Sequence, residues 1–382
     1  MPLTVFGGNL IILLIVLLWL ISGNYTNKFK LIIQSKLLIA SIIFFGLHVL
    51  GLLWTNDLQW GFHIVRKMWY FLLLFPILHS IVIKENIHKY IASFLIAITV
   101  TEILSYAVWF EIIEPFKNAT IHNPTPFMSH ISYNPILAFA IYIVLHRLLI
   151  KRDMGKIQIF LYGFFGLSMS INMFITGGRA GQVAYFVMLT ILVFQFFKYS
   201  KIKALFISLF LFISIVLSAY QLSPIFNERV DDGIKNYAKF SQDNEASRAS
   251  SIGYRMTFQL NSLEIIKKHP LIGVGTGDFP QEYKKVNMVN TPGIANATNP
   301  HNMYILITTQ LGILGLISFF SIFYFQFKIA FSSTNILVRN VGFALPVMFL
   351  VIMLSDSYLL GHYTTLLFIF FSSFLYRDFE NV

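Results

Sequence analysis

The stretch "NATNPHNMYILITTQLGILG", residues 296–315, changes character at its middle. Its first half is polar and holds Pro300 and His301. Its second half opens an apolar run that continues to about residue 327. Roughly 20 apolar residues in a helix cross about 30 Å of hydrocarbon. So a membrane span lies after this boundary, and a long segment outside the bilayer lies before it. Similar apolar blocks recur along the chain. Of 382 residues, 56% are hydrophobic and 12% charged, where a soluble domain carries about 25% charged.

Working outward, spans are expected near 3–21, 37–53, 62–83, 90–112, 132–149, 157–176, 182–197, 204–221, 303–327, 337–354 and 358–375. The first block has no basic leader and no A-x-A site, so it reads as a retained span and not a signal peptide. The expected fold is an all-α polytopic membrane protein, a bundle of about eleven to twelve transmembrane helices with one large loop domain containing short helices. Three parts follow: an N-terminal transmembrane bundle over 1–221, the loop domain over 222–302, and C-terminal transmembrane helices over 303–382. The chain contains no cysteine, which excludes disulfide and thiolate chemistry.

Charge sets the orientation. One set of short loops, with the C-terminal tail, holds fifteen Lys and Arg, including Lys28, Lys84, Lys151, Lys201 and Arg339; the short loops of the other set hold only Lys117 and Arg179. The first set therefore faces the cytoplasm. Residues 222–302 lie outside. Their nine Lys and Arg do not oppose this, because long loops translocate regardless of charge. Ile252, Met256, Leu260 and Leu263 fall at helical spacing, which predicts an amphipathic helix over about 252–268 that Pro270 stops. Residues 241–251, "SQDNEASRASS", read as the flexible part of the loop. No internal repeat and no inverted pair of broken spans is visible, which counts against a secondary transporter.

Four constellations carry chemistry. In "FITGGRAGQVAYF", residues 174–186, Arg179 sits at the centre of a short glycine turn between two spans, on the side that positive-inside bias disfavours. It is a functional candidate, the alternative being an arginine snorkelling to headgroups. In "SIGYRMTFQL", residues 251–260, Arg255 stands near a helix start, where the dipole disfavours a cation unless an anion is present; the alternative is a solvated surface charge. "HPLIGVGTGDF", residues 269–279, has glycines spaced like a nucleotide fingerprint but no preceding strand. It reads as a turn folding the loop helix back toward the bundle. His301 and Asn302 lie in or just before the first turn of the 303–327 span. Its N–H groups favour anions, and a neutral imidazole beside a phosphate suits a general base; the alternative is a polar cap. Arg66, Lys67 and Asp356 are further candidates at the outer ends of spans, Asp356 as an orienter of Arg or His. Asp243 and Glu245 form an acid-x-acid pattern.

Three of these pieces, in order, resemble the O-antigen ligase and polymerase superfamily: "TGGRAG" (176–181), "YRMTFQLNSLEIIKKHPLIGVGTGDF" (254–279) and "NPHNMYILITTQLGILGL" (299–316). The profile is most similar to the lipopolysaccharide O-antigen ligase. Gly178 stands where that family often has Ser, and the outer loop is short for it. The resemblance implies an inner-membrane glycosyltransferase with its active site facing the periplasm. It would move a glycan from undecaprenyl diphosphate to a sugar of lipid A–core. Arg179 and Arg255 would bind the donor diphosphate, and His301 would be the catalytic histidine. Asn302, Arg66, Lys67 and Asp356 are carried as further substrate-binding candidates. No cofactor or metal is expected, because the donor is already activated. The expected partners are the lipid-linked donor, the lipid A–core acceptor and membrane lipids, with no nucleic acid. A polymerase of the same superfamily, a protein O-oligosaccharyltransferase and a transporter or flippase are the competing readings.

Overall fold

Each of the eleven expected spans coincides with a helix in the computed structural model, which describes residues 4–117, 119–150, 154–240 and 250–379. In chain order the helices are α1 (Val5–Ile21), α2 (Tyr25–Gln34), α3 (Lys36–Leu50), α4 (Leu58–Trp69), α5 (Phe75–Ile81), α6 (Ile87–Trp109), α7 (His130–Ile150) and α8 (Lys156–Ile175). There follow α9 (Arg179–Phe196), α10 (Lys201–Leu222), α11 (Pro224–Phe240), α12 (Ser251–Lys268), α13 (Phe279–Asn290), α14 (Met303–Ser332), α15 (Ile336–Ile352) and α16 (His362–Leu375). No strand is present among the described residues, apart from an isolated bridge between Thr120 and Asn123. Asp243 and Glu245, and most of the stretch expected to be flexible, lie outside the described residues.

Seven helices are long and apolar enough to cross a membrane, and an eighth is added if α1 and α2, bent by 116°, count as one. A π-helical turn over Tyr70–Leu74 joins α4 to α5 within one such helix, Leu58–Ile81. Three more expected spans, α3, α15 and α16, are apolar but only 15, 17 and 14 residues long. At ~1.5 Å per residue they fall short of about 30 Å of hydrocarbon. Hydropathy marks the apolar block and cannot see where the helix inside it stops. The chain is an all-α, multi-pass membrane protein, with seven or eight helices of spanning length among the described residues.

The helices group into two compact units assembled from separate stretches. The first holds residues 1–11, 85–231 and 347–352; the second holds 12–84, 232–346 and 353–382. Residues 232–302 of the expected loop domain fall in the same unit as α3, α14 and α16.

In the first unit α7 is the buried member, with Tyr133 to Val144 all hidden. α9 lies hard against it. A β-carbon on Gly181 would meet the Asn134 side chain at 2.2 Å and its backbone at 2.4 Å, so a glycine is required for the approach. α10 instead exposes Leu205, Phe206, Leu209 and Phe210, an apolar face suited to lipid.

The second unit is organised by a break in α14. Gly312 has φ 61° and ψ −159°, which no L side chain adopts comfortably. The opened backbone is satisfied by the glycine turn after α12. Val274 N–H donates to Thr309 O at 2.9 Å, Gly275 N–H to Gln310 O at 2.9 Å, and Ile313 N–H to Pro270 O at 2.9 Å. A β-carbon on Gly273 would sit 2.4 Å from the Gln310 carbonyl. Asp278 locks the same turn to the α3–α4 corner, accepting N–H bonds from Asn56 at 2.9 Å and Asp57 at 2.8 Å. "HPLIGVGTGDF" and "LGILG" are therefore two halves of one backbone joint, as the turn reading expected.

Helix α12 starts and ends where predicted, but its buried face is not the predicted stripe. Leu260 and Leu263 are exposed, and the hidden side chains are Thr257, Asn261, Ser262 and Ile265. The reason is a buried polar network. Asn261 Nδ2 donates to Thr291 Oγ1 at 2.8 Å and to Tyr283 Oη at 3.2 Å, and Asn287 Nδ2 donates to Ile294 O at 2.8 Å. Satisfied in this way, polar groups can occupy a core that apolar periodicity assigns elsewhere.

Candidate functional site

In the second unit, the α12 start, the 299–302 corner and the α15–α16 turn bring three expected residues together. Ser250 caps α12, its Oγ accepting from Gly253 N–H at 3.0 Å. Eight residues after Ser250, Phe258 presents its ring to His301, stacked at 6.2 Å and 23°. His301 Nδ1 lies 3.2 Å from Asp356 Oδ1. Asp356 also feels the charge of Arg255 from α12. Arg255 is half-buried and makes no hydrogen bond or ion pair with the described residues.

The corner is shaped by the residues around Pro300. His301 has φ 52°, a left-handed conformation that costs a non-glycine residue about 1 kcal/mol or more. Asn299 holds it there: Oδ1 accepts from His301 N–H at 2.9 Å and from Ser357 Oγ at 3.0 Å. Ser357 N–H in turn donates to Asp356 Oδ1 at 2.8 Å. One asparagine thus fixes both the histidine backbone and the segment carrying its carboxylate partner. Backbone strain held by this much surrounding structure points to a function for the strained residue.

Burial pushes the Asp356 carboxyl up. The hydrogen bond from His301, its charge, the Ser357 amide and the Arg255 charge outweigh that and hold it below the usual carboxylate range. With Nδ1 toward Asp356, the His301 Nε2 edge has no protein partner among the described residues, and the side chain is 35% exposed. The arrangement is one in which a carboxylate fixes the imidazole tautomer and leaves the other nitrogen open.

Asn302 has a different position from the one expected of a binding residue. It is buried as the N-cap of α14. Oδ1 accepts from Tyr304 N–H at 3.0 Å and Ile305 N–H at 3.2 Å, and Nδ2 donates to Leu354 O at 3.2 Å. Met303 N–H goes to Met353 O at 2.9 Å. The amides expected to attract an anion at this helix start are therefore already taken by the protein. Arg66 and Lys67 enter no hydrogen bond or ion pair with the His301 cluster among the described residues. Arg66 faces His63 Nδ1 at 3.5 Å, on a surface pocket that Asp57, Gln59 and Trp60 also line.

In the first unit, Arg179 is the first residue of α9, directly after Gly178. The turn before it is pinned from three sides. Asn123 Oδ1 accepts from Gly177 N–H at 2.9 Å, Thr176 Oγ1 donates to Asn134 Oδ1 at 2.8 Å, and Gln182 Nε2 donates to Thr176 O at 3.2 Å. Gly178 leaves no room for a side chain, since its β-carbon would meet His130 O at 2.6 Å. The turn is rigid, and Arg179 projects from a fixed base.

Sequence reasoning did not single out Asn299, Ser357 or Phe258. Asn299 carried a usable signal, because an Asn two residues before a constrained position, next to proline, favours this side-chain turn. Phe258 and Ser357 carried none.

This fold and these sites define a multi-pass membrane protein with a His–Asp pair beside an arginine. Residues 164–320, which contain Arg179, Arg255 and His301, match the model of the O-antigen ligase family. An uncharacterized protein of Haemophilus influenzae is 27% identical over 206 residues, covering 51% of this chain and 49% of that protein. The chain thus spans about half the length of that relative. The matched region is thus similar to the O-antigen ligase superfamily.

Proposed function

We propose that the protein is an inner-membrane glycosyltransferase that moves a glycan from undecaprenyl diphosphate to a sugar hydroxyl of lipid A–core on the periplasmic face. The observation that carries this reading is the His301–Asp356 pair at 3.2 Å beside Arg255, with His301 and Arg255 inside the matched family region. In this scheme the acceptor hydroxyl gives its proton to His301 Nε2, while Asp356 holds Nδ1–H and stabilises the imidazolium. The hydroxyl oxygen bonds to the anomeric carbon from the face opposite the leaving group, so configuration inverts. The anomeric C–O bond to phosphate breaks, and undecaprenyl diphosphate departs with the electron pair. Arg255 meets the charge that develops there. Arg179 keeps the donor-binding role its motif implies. Guanidinium groups match phosphate oxygens in a fork and stay charged at any working pH, so the reaction needs no divalent ion for that purpose.

Envelope analysis of a null mutant tests the assignment. Polymer lost from lipid A–core but accumulating on its carrier is the expected result. Only single repeat units on the carrier would make the protein the polymerase, and an unchanged envelope would overturn both.

A further inference from the structure

Arg229 has no part in the scheme above. It lies on α11, three residues after Phe226, and so shares a helix face with it. Phe226 is buried and meets Phe174 edge-on, with ring centroids 5.2 Å apart. Ser223 Oγ donates to Phe174 O at 2.7 Å and accepts from Phe226 N–H at 3.2 Å. These contacts tie the start of α11 to the end of α8, just before the Gly177 turn. They carry the Arg229 guanidinium over that turn. A β-carbon on Gly177 would lie 3.5 Å from Arg229 Nε and 3.5 Å from one of its terminal nitrogens.

The guanidinium is half-buried and makes no hydrogen bond or ion pair with the described residues. Its neighbour Asp231 is engaged elsewhere, accepting from Tyr220 Oη at 2.9 Å. Taking a cation partly out of water without a partner carries a desolvation cost, and an anion at the turn removes it. Other donors converge there. Asn123 turns Oδ1 to Gly177 N–H at 2.9 Å, leaving its Nδ2 without a partner among the described residues, and Arg179 follows Gly177 by two residues. One forked guanidinium over the glycine turn, with a second arginine two residues further at the start of the next helix, suits a ligand carrying two phosphate groups.

The geometry points to a diphosphate clamp made by Arg229 and Arg179 on either side of the Gly177 turn, with a diphosphate-bearing lipid as its ligand. This rests on the donor assigned above and adds a binding residue that lies outside the glycine–arginine motif. The first glycine of that motif is bare because a β-carbon there would meet Asn123 Oδ1 at 2.8 Å.

The test is calorimetric titration of the purified full-length chain in detergent with farnesyl diphosphate, with inorganic pyrophosphate and farnesol as parallel probes. Arg229→Ala should weaken farnesyl diphosphate binding about tenfold or more, as expected for loss of a charge-assisted contact. Arg229→Lys should recover only part of it. Gly177→Ala, whose methyl would press on Asn123 Oδ1 at 2.8 Å beside the guanidinium, should weaken it as well. Pyrophosphate binding that suffers the same loss supports the clamp as a reader of the diphosphate alone. Arg229→Ala binding within twofold of wild type overturns the proposal, as does farnesol binding as tightly as its diphosphate. If Arg229→Ala does not fold, the Arg229→Lys comparison decides, because it changes only the head group. Wild-type protein that binds the diphosphate yet transfers nothing would overturn the transfer reading and leave the clamp standing.

Discussion

At residues 176–181 the chain sets arginine among glycines; at 299–302 it sets a histidine against a carboxylate from another turn. The first region is rigid because its backbone is pinned by Asn123, Asn134 and Gln182, and its charged groups do not titrate in any working range. The second holds a left-handed His301 whose ring nitrogen faces Asp356, an arrangement suited to moving a proton. A ligand held at the glycine turn should therefore depend on fixed charge, whereas the His301 corner serves proton transfer. The difference separates holding the donor from activating the acceptor, and the two functions can be broken one at a time.

The largest effects should come from the arginines. Arg179→Ala and Arg255→Ala should each lower transfer in reconstituted membranes by about 30- to several-thousand-fold, equivalent to roughly 2–5 kcal/mol. Arg→Lys should rescue poorly at both positions, since a point charge does not reproduce the fork. Transfer rates within a few-fold of wild type for either Ala variant would remove that residue from the donor site.

Asp356→Asn should cost less, on the order of 10- to 100-fold in rate, because it loosens the orientation of His301 without removing it. Donor binding should be unchanged. Glycine variants probe a third level, the scaffold. Gly312→Ala would place a methyl 2.2 Å from the Leu271 backbone at a positive φ. It should destabilise the joint by roughly 1–3 kcal/mol, seen as a lower melting temperature, with activity lost only in proportion to unfolding.

The smallest effect expected is a pH-dependent one. Asp356 is held below its ordinary value in the folded protein. Its interactions therefore contribute stability above the unfolded value, near pH 4, and that contribution is lost as pH falls through the lower folded value. The melting difference between wild type and Asp356→Asn should be full at neutral pH and shrink in acid. A gap that widens on acidification would contradict the pairing with His301.

Much of this organisation was legible in the sequence. The apolar blocks placed a helix at each expected span, though three of those helices are too short to cross, and apolar spacing with Pro270 placed α12. The order of "TGGRAG", "HPLIGVG" and "NPHN" pointed to Arg179, Arg255 and His301. Two kinds of information were not legible. Helix length inside an apolar block depends on where other segments dock, as Gly51 shows: its carbonyl accepts from Thr276 N–H at 3.2 Å just where α3 ends. Contacts across long separations leave no local mark either. The His301–Asp356 pair, the Asn299–Ser357 bond and the Arg229 approach to Gly177 join residues whose spacing has no periodicity. The buried Asn261 network also defeated the apolar stripe, because a satisfied polar core looks like a solvent face when read as a pattern.

The most direct test of the account uses one variant and two measurements on the same preparation. His301→Ala should lower the transfer rate by about 10²–10⁴, the usual share of general base catalysis, while its affinity for undecaprenyl diphosphate stays within a few-fold of wild type. That outcome places His301 on the acceptor hydroxyl. If donor affinity falls in step with the rate, His301 is a ligand of the diphosphate, and the separation between holding the donor and activating the acceptor is wrong.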